Sequence, residues 1–459
     1  MSSNDVPGPP GTGASVPDEA APKAAGRRPA GFSALLLHLH PRMVPAEALA
    51  FPRTFGLGGI AAVLLVVLAA TGSLLLFGYE PSLERAYGSV RAIVDRAQFG
   101  AFLRNTHHWA ANGLLLVSFL HLLRVFYAGA FHPPRRASWI VGLALLLLAV
   151  ASNFTGYLLP WDQLAYWAVT IATGMLEYVP LIGGTLMRAA RGGSEIGSKT
   201  LSLFFVLHVA ILPILLFVLT AFHFWLVRKG GGVMVPRREG EEERRRAMVP
   251  TSPDLVVREG AAALATLAAV LLLAAVFEAP LLAQANPGMS PNPAKAPWYF
   301  MGLQELLVHL HPAFAVFVVP LVALALLLLL PFLPLGETPS GRYFHSRIGA
   351  RTSRAAALAA FLLTPLAVVA DETIRHAPPW LPFLPVVVRT GLVPLALGCA
   401  FLAVLYLAVR WKYSATRLEA VQAIFTFVVV AFVVLTVIGS LFRGHGMALA
   451  WPWVAAAAH

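Results

Sequence analysis

Cysteine is nearly absent: Cys399 is the only one in 459 residues. A single thiol excludes an intrachain disulfide, cysteine ligation of an iron–sulfur cluster and a CxxCH haem attachment within this chain. Charge is also scarce. Asp, Glu, Lys and Arg make up 12% of the residues, against roughly 25% in a soluble domain. Hydrophobic residues make up 58%, and the mean hydropathy is +0.73. Nine stretches are long and apolar enough to cross a bilayer: roughly 55–77, 106–127, 138–158, 201–227, 260–281, 313–333, 353–370, 387–409 and 419–441. A water-soluble fold has no means of solvating so many apolar runs. The sequence therefore predicts an all-α, polytopic transmembrane helix bundle of about nine spans.

Acidic residues are the scarcer charge, 22 against 34 Lys and Arg, for a net charge of +12. The excess is not spread in the manner of a nucleic-acid-binding surface. It sits in short loops after the second, fourth, sixth and eighth apolar stretches, at Arg135 and Arg136, Arg228 and Lys229, Arg342 and Arg347, and Arg410 and Lys412. All four loops share one side if the N-terminus is cytoplasmic, so the positive-inside rule accounts for the charge without a nucleic-acid partner. Residues 1–30 carry no apolar h-region and read as a disordered tail rather than a cleaved signal. Residues 31–54 read as an amphipathic segment at the cytoplasmic surface, with His38 and His40 solvated there.

Two apolar stretches carry histidines about four helical turns apart: His107 and His121 in 105–126, His208 and His223 in 200–227. At ~100° per residue, a spacing of 14 returns within ~40° of the starting face and 15 within ~60°. The rise is ~21–23 Å, most of the thickness of the hydrocarbon layer. His108 is 13 residues from His121, which leaves the two ~140° apart. His107 is thus the member of the His107–His108 pair that shares a face with His121. Two such helices side by side offer two stacked histidine pairs, which is what a bundle needs to hold two bis-histidine haems. Paired imidazoles leave the iron no open position, which suits electron transfer rather than oxygen binding. Gly58 and Gly72 repeat the 14-residue spacing in the first stretch, and Gly156 lies in the third; missing side chains there leave room for flat macrocycles. Arg104 and Arg124 bracket the second stretch, placed either to snorkel to headgroups or to pair with a propionate.

The connections are patterned too. Residues 153–174 contain Pro-Trp-Asp-Gln at 160–163 and predict a short interfacial helix carrying Trp161, Asp162, Tyr166 and Trp167. A proline-punctuated, mixed-charge segment follows the fourth stretch and reads as a linker between a four-span and a five-span unit. The 285–312 loop combines prolines with Trp298, Tyr299, Glu305, His309 and His311; so long and patterned a loop points to function. The last three stretches read as scaffold, with Asp371, Glu372 and Arg375 at an outer end.

Over 104–131, 152–174 and 200–231 the residues closely resemble the cytochrome b family of quinol:cytochrome c and quinol:plastocyanin oxidoreductases. The 15-residue histidine spacing, the PWDQ sequence and Arg228-Lys229-Gly230 are similar to the cytochrome b6 type, here with the C-terminal portion fused to it. The resemblance is dense over roughly 45–230, thinner over 250–335 and weak beyond. It divides the chain into a tail (1–30), a dihaem domain with a four-helix core (31–235), a cytoplasmic linker (236–258) and a C-terminal domain (259–459). It implies that His107 and His208 ligate a low-potential haem b near the outer face, and His121 and His223 a high-potential one near the cytoplasmic face. Gly58, Gly72, Gly142 and Gly156 match family glycines that pack against haem.

The resemblance further implies a quinol pocket between PWDQ and Trp298-Tyr299, with menaquinol or ubiquinol as substrate. The implied partners are a Rieske iron–sulfur protein and a c-type cytochrome, in a homodimeric complex of the bacterial inner membrane that couples quinol oxidation to proton translocation. Two departures stand out. The PEWY tetrapeptide of the family is Ala296-Pro297-Trp298-Tyr299 here, so its proton-accepting glutamate is missing; Glu305 is the first substitute, with His309 and His311 behind it. Gly56 stands where the b6 type has a cysteine, so no covalent c-type haem is expected. The competing reading is a haem-b, quinone-reactive anchor of a periplasmic dehydrogenase, which does not need both PWDQ and the Trp-Tyr loop. A transporter with proton-relaying histidines is a reading from another class, and it predicts no haem absorption.

Overall fold

Runs of Leu, Val and Ala some 20 residues long can satisfy their backbone in hydrocarbon only as helices. The computed structural model describes residues 41–236, 247–336, 341–375 and 381–453. Nine helices among them are long and apolar enough to cross a membrane. They are α1 Leu57–Leu75, α3 Gly100–Tyr127, α4 Arg136–Leu158, α7 Ser198–Lys229, α8 Thr251–Val276, α10 Ala313–Phe332, α11 Arg347–Ile374, α12 Val388–Lys412 and α13 Arg417–Leu441. Four shorter helices occupy the connections: α2 Ala86–Arg96, α5 Gln163–Gly174, α6 Gly183–Arg191 and α9 Trp298–His309. The chain is an all-α, multi-pass membrane protein. Apolar side chains such as Leu264, Leu366 and Val404 stand exposed along the spans, as lipid contact requires.

The expected tail and His38 and His40 lie outside the described residues. Within 41–54 the structure has β1 (Met43–Pro45), paired antiparallel with β2 (Met248–Pro250). Residues 248–250, within the segment read from sequence as a linker, are therefore fastened to residues 43–45, and the fifth span begins at Thr251.

Helices α1, α3, α4 and α7 form the four-helix unit, and α8 packs against α1 and α3 from the C-terminal half. Their shared core contains Leu64, Leu65, Ala110, Leu114, Leu115, Ala149, Leu216 and Val270. Ala110 and Ala149 are almost fully buried, so small residues stand where the backbones come close. In the C-terminal half, α13 is the hub against which α9, α11 and α12 pack. Its start is fixed by a capping box. The Thr416 hydroxyl accepts from the Glu419 amide, and the Glu419 carboxylate accepts from the Thr416 amide. Glu419 also holds the Ser346 hydroxyl and the Gly349 amide at the start of α11. Thr416→Ala is expected to lower stability by about 1 kcal/mol, measured by unfolding in detergent, while Thr416→Ser retains it.

Candidate functional site

The 15-residue spacing of His208 and His223 leaves them further out of line than the 14-residue pair on α3. The structure resolves this locally: Leu207–Ile211 is a π-helical turn inside α7, and His208 lies in it. A π-bulge absorbs one residue, so 15 residues act as 14 and both histidines of α7 face α3. His107 and His208 then oppose each other with ring centres 6.2 Å apart and planes at 76°. His121 and His223 do so at 6.5 Å and 80°.

Those separations test whether a metal fits. An imidazole nitrogen bonds a first-row metal at about 2.0–2.1 Å and lies roughly 1.2 Å from its ring centre, so two rings opposed across one metal stand about 6.4 Å apart. Both pairs meet that value. The ring hydrogen bonds agree with it. His208 Nδ1 lies 2.9 Å from the Ser152 carbonyl, which can only accept, so Nδ1 carries the proton and Nε2 keeps its lone pair. His107 Nδ1 lies 2.9 Å from the Thr71 hydroxyl.

Each histidine is backed by one glycine. A Cβ on Gly58 would lie 3.5 Å from His121 Cε1, one on Gly72 3.1 Å from His107 Cε1, and one on Gly142 3.3 Å from His223 Cε1. A Cβ on Gly156 would collide with the His208 ring, 2.9 Å from both ring nitrogens and nearer still to Cε1. In this structure the side chains nearest the four glycines are the histidines themselves. The missing Cβ atoms leave room beside the imidazoles.

A cavity of about 1140 Å³ opens at the His107/His208 level. Its walls bring together Gly72, Gly156 and the two histidines with Asp162, Pro297, Trp298 and Tyr299, residues drawn from five separate stretches of sequence. Single-ligand pockets fall at about 300–1,000 Å³, so this space suits two ligands side by side. PWDQ is held on its rim. The Asp162 carboxylate caps α5 by accepting from the Ala165 amide at 2.9 Å, and it accepts from the Leu282 amide at 3.1 Å. Burial raises the Asp162 pKa above the ordinary carboxylate value, with the two amides and Arg104 opposing. Trp298 donates to the Asn112 side chain at 2.6 Å, tying α9 to α3. His108, excluded as a ligand by its angle, lines the same cavity.

Other sequence-selected residues are placed differently. Arg104 lines the cavity, but its guanidinium donates to the carbonyls of Ala279 and Pro280 at 2.8 and 2.7 Å. Arg124 donates to the Arg53 carbonyl at 2.9 Å. Tyr166 does not line the cavity; it packs edge-on against Trp161. Glu305 does not line it either. It is fully buried on α9, where Arg443 forks onto both of its oxygens at 2.5–3.1 Å. His309 bridges Glu305 and Asp371 at 3.2 and 2.7 Å, and Arg443 also reaches Glu372 at 2.5 Å. His311 lies beyond the end of α9. Asp371 and Glu372, read from sequence as scaffold, thus belong to a charge cluster around the buried Glu305 and Arg443. Its centre, Arg443, was not singled out, because one arginine after a last apolar span looks like a headgroup anchor.

A bundle that opposes two pairs of imidazoles at two depths has the donor set to hold two metal centres within the membrane. Residues 45–231 match the family model described as cytochrome b/b6/petB, and that stretch is similar to the cytochrome b family, a likeness that implies haem b. The chain is also similar to a solved structure described as "Hyperthermophilic respiratory Complex III", at 26% identity and a TM-score of 0.65, covering 84% of this chain and 98% of that one.

Proposed function

We propose that the chain is the cytochrome b subunit of a bc-type quinol:cytochrome c oxidoreductase. In this reading His107 and His208 hold one haem b, His121 and His223 hold a second, and quinol is oxidised beside the first. The observation that carries the reading is the shared cavity: one histidine pair, the PWDQ aspartate and the Trp298-Tyr299 pair line a single space large enough for two ligands. The bound haems supply one-electron carriers at two depths of the membrane.

The chain's own residues do the rest. The opposed imidazoles of each pair would hold one haem between them. The apolar core between the two levels, with Leu64, Leu115 and Ala110 at its centre, keeps water out of the space between them. Asp162 takes the place of the missing PEWY glutamate as proton acceptor, since it stands on the cavity wall with a pKa raised toward the working range of a general base. Glu305 is unsuited to that role. Burial alone would raise its pKa, but hydrogen bonds from His309 and Arg443 and the Arg443 charge hold it below the ordinary value. Electrons would pass to a Rieske iron–sulfur protein and a c-type cytochrome within a multi-subunit complex, the kind of assembly that the likeness to a respiratory Complex III structure supports. The basic loops orient the quinol site toward the outer face of a bacterial inner membrane, with the N-terminus cytoplasmic.

The test is a reduced-minus-oxidised spectrum with a redox titration of the wild type and of His121→Ala. The wild type is expected to show two b-type components and the variant to lose one. Survival of both, unchanged, overturns the ligand assignment.

A further inference from the structure

The two histidine pairs are not built alike. In the His107/His208 pair both Nδ1 atoms are hydrogen-bonded. In the His121/His223 pair neither Nδ1 has a hydrogen-bond partner among the described residues, although the Ser138 carbonyl faces His223. The difference starts in the residue before each glycine. Thr71 precedes Gly72 and Thr155 precedes Gly156, whereas Leu57 precedes Gly58 and Val141 precedes Gly142.

Each threonine turns its hydroxyl toward the ring that its glycine admits. Thr71 Oγ1 donates to the Val67 carbonyl at 2.7 Å, which commits its one proton. Toward His107 Nδ1, at 2.9 Å, it can then only accept, so Nδ1 carries the proton and Nε2 is left bare toward His208. The Leu68 carbonyl faces the same ring and favours the same tautomer. Thr155 repeats the arrangement more loosely: its hydroxyl donates to the Ala151 carbonyl at 2.9 Å and lies 3.4 Å from His208 Nδ1, behind the closer Ser152 carbonyl.

We infer that Thr71, seconded by Thr155, is a positioning residue that fixes the Nδ1-protonated tautomer of the His107/His208 pair and lowers the reduction potential of the metal held there relative to the His121/His223 site. An acceptor on Nδ1–H makes the imidazole a stronger donor, and a stronger donor stabilises the oxidised iron. The inference rests on the proposed haem ligation and adds to it the element that makes two bis-histidine sites unequal.

The experiment is a spectroscopic redox titration of the purified complex carrying Thr71→Val, alone and with Thr155→Val, beside wild type, Thr71→Ser and His208→Ala. The component lost in His208→Ala is assigned to the His107/His208 pair. Its midpoint is expected to rise in the valine variants, toward a tenfold change in the oxidised-to-reduced ratio, about 59 mV for one electron. Thr71→Ser should hold the wild-type value, and the other component should stay put. Val141→Thr, which adds a hydroxyl beside Gly142, should lower the midpoint of the other component and needs no change at Thr71. Unshifted midpoints with both haems bound in the double valine variant overturn the inference and leave the haem reading standing. A wild type without two b-type components sinks the haem reading and this inference together.

Discussion

Alanine at Gly156 is expected to empty the His107/His208 site as thoroughly as removing His208 itself. A Cβ there lies within 2.9 Å of both His208 ring nitrogens, closer than real Cβ atoms come to their neighbours. The ring cannot slide away along α7, because it sits in the π-turn that sets its face and its Nδ1 is bound to Ser152. Perturbing the support of a metal ligand lowers affinity by about 10–100-fold, and forcing an extra methyl group into a packed site costs about 1–3 kcal/mol in its own right. The four glycines provide a graded series. Gly72→Ala meets His107 at 3.1 Å and should weaken the same site less, and Gly142→Ala meets His223 at 3.3 Å and should weaken the other site slightly. Gly58→Ala reaches only ordinary contact with His121, at 3.5 Å. Gly59→Ala, with nothing within 4 Å, is the control and should bind both haems. The haem-to-protein ratio and the difference spectrum of each variant give the order. Gly156→Ala with two intact haems, or Gly59→Ala as damaging as Gly156→Ala, refutes the view that these glycines exist to seat imidazoles.

How much of this was legible beforehand depends on the range of the interaction. Helical periodicity acts over a few turns, so the 14-residue spacing was enough to choose His107 over His108 and to pair Gly58 with Gly72. The spans were legible because hydrocarbon leaves the backbone no alternative to helix. The π-turn at Leu207–Ile211 was not, since a one-residue excess in spacing can be absorbed by a bulge or left as a misaligned face. Asp162 was legible as a motif, but its contact with the chain at 279–285 was not, because that depends on a loop 120 residues away folding over it. Glu305 was misplaced for a related reason. Its partner is 138 residues away in sequence, and no local pattern joins them.

That partner gives the largest stability effect to expect. Arg443 is fully buried, and its guanidinium is bound to Glu305, itself fully buried. Arg443→Met removes the positive charge and leaves the carboxylate in an apolar surround, a change that typically costs about 3–5 kcal/mol. Replacing both members with apolar groups should recover much of the loss, so Arg443→Met with Glu305→Leu is expected to unfold later in detergent than Arg443→Met alone. The pH dependence carries a sign that packing loss would not produce. In the wild type Glu305 has a folded pKa below its ordinary value, held there against burial by His309 and Arg443. Its stabilisation is therefore present above the unfolded value of about 4.3 and is lost as pH falls through the lower folded value. In Arg443→Met burial goes unopposed by the guanidinium, the Glu305 pKa moves upward, and the carboxyl destabilises the fold at neutral pH but not once it is protonated. The stability gap between wild type and Arg443→Met should hence be widest near neutrality and narrow on acidification. A gap that is independent of pH would mean that Arg443 acts through its volume alone. Because α9 carries Trp298 and Tyr299 on its first turn and Glu305 two turns on, loosening this pair should also blunt the wall of the cavity at the His107/His208 level. The cluster read from sequence as idle scaffold would then be what holds the substrate side of the site in place.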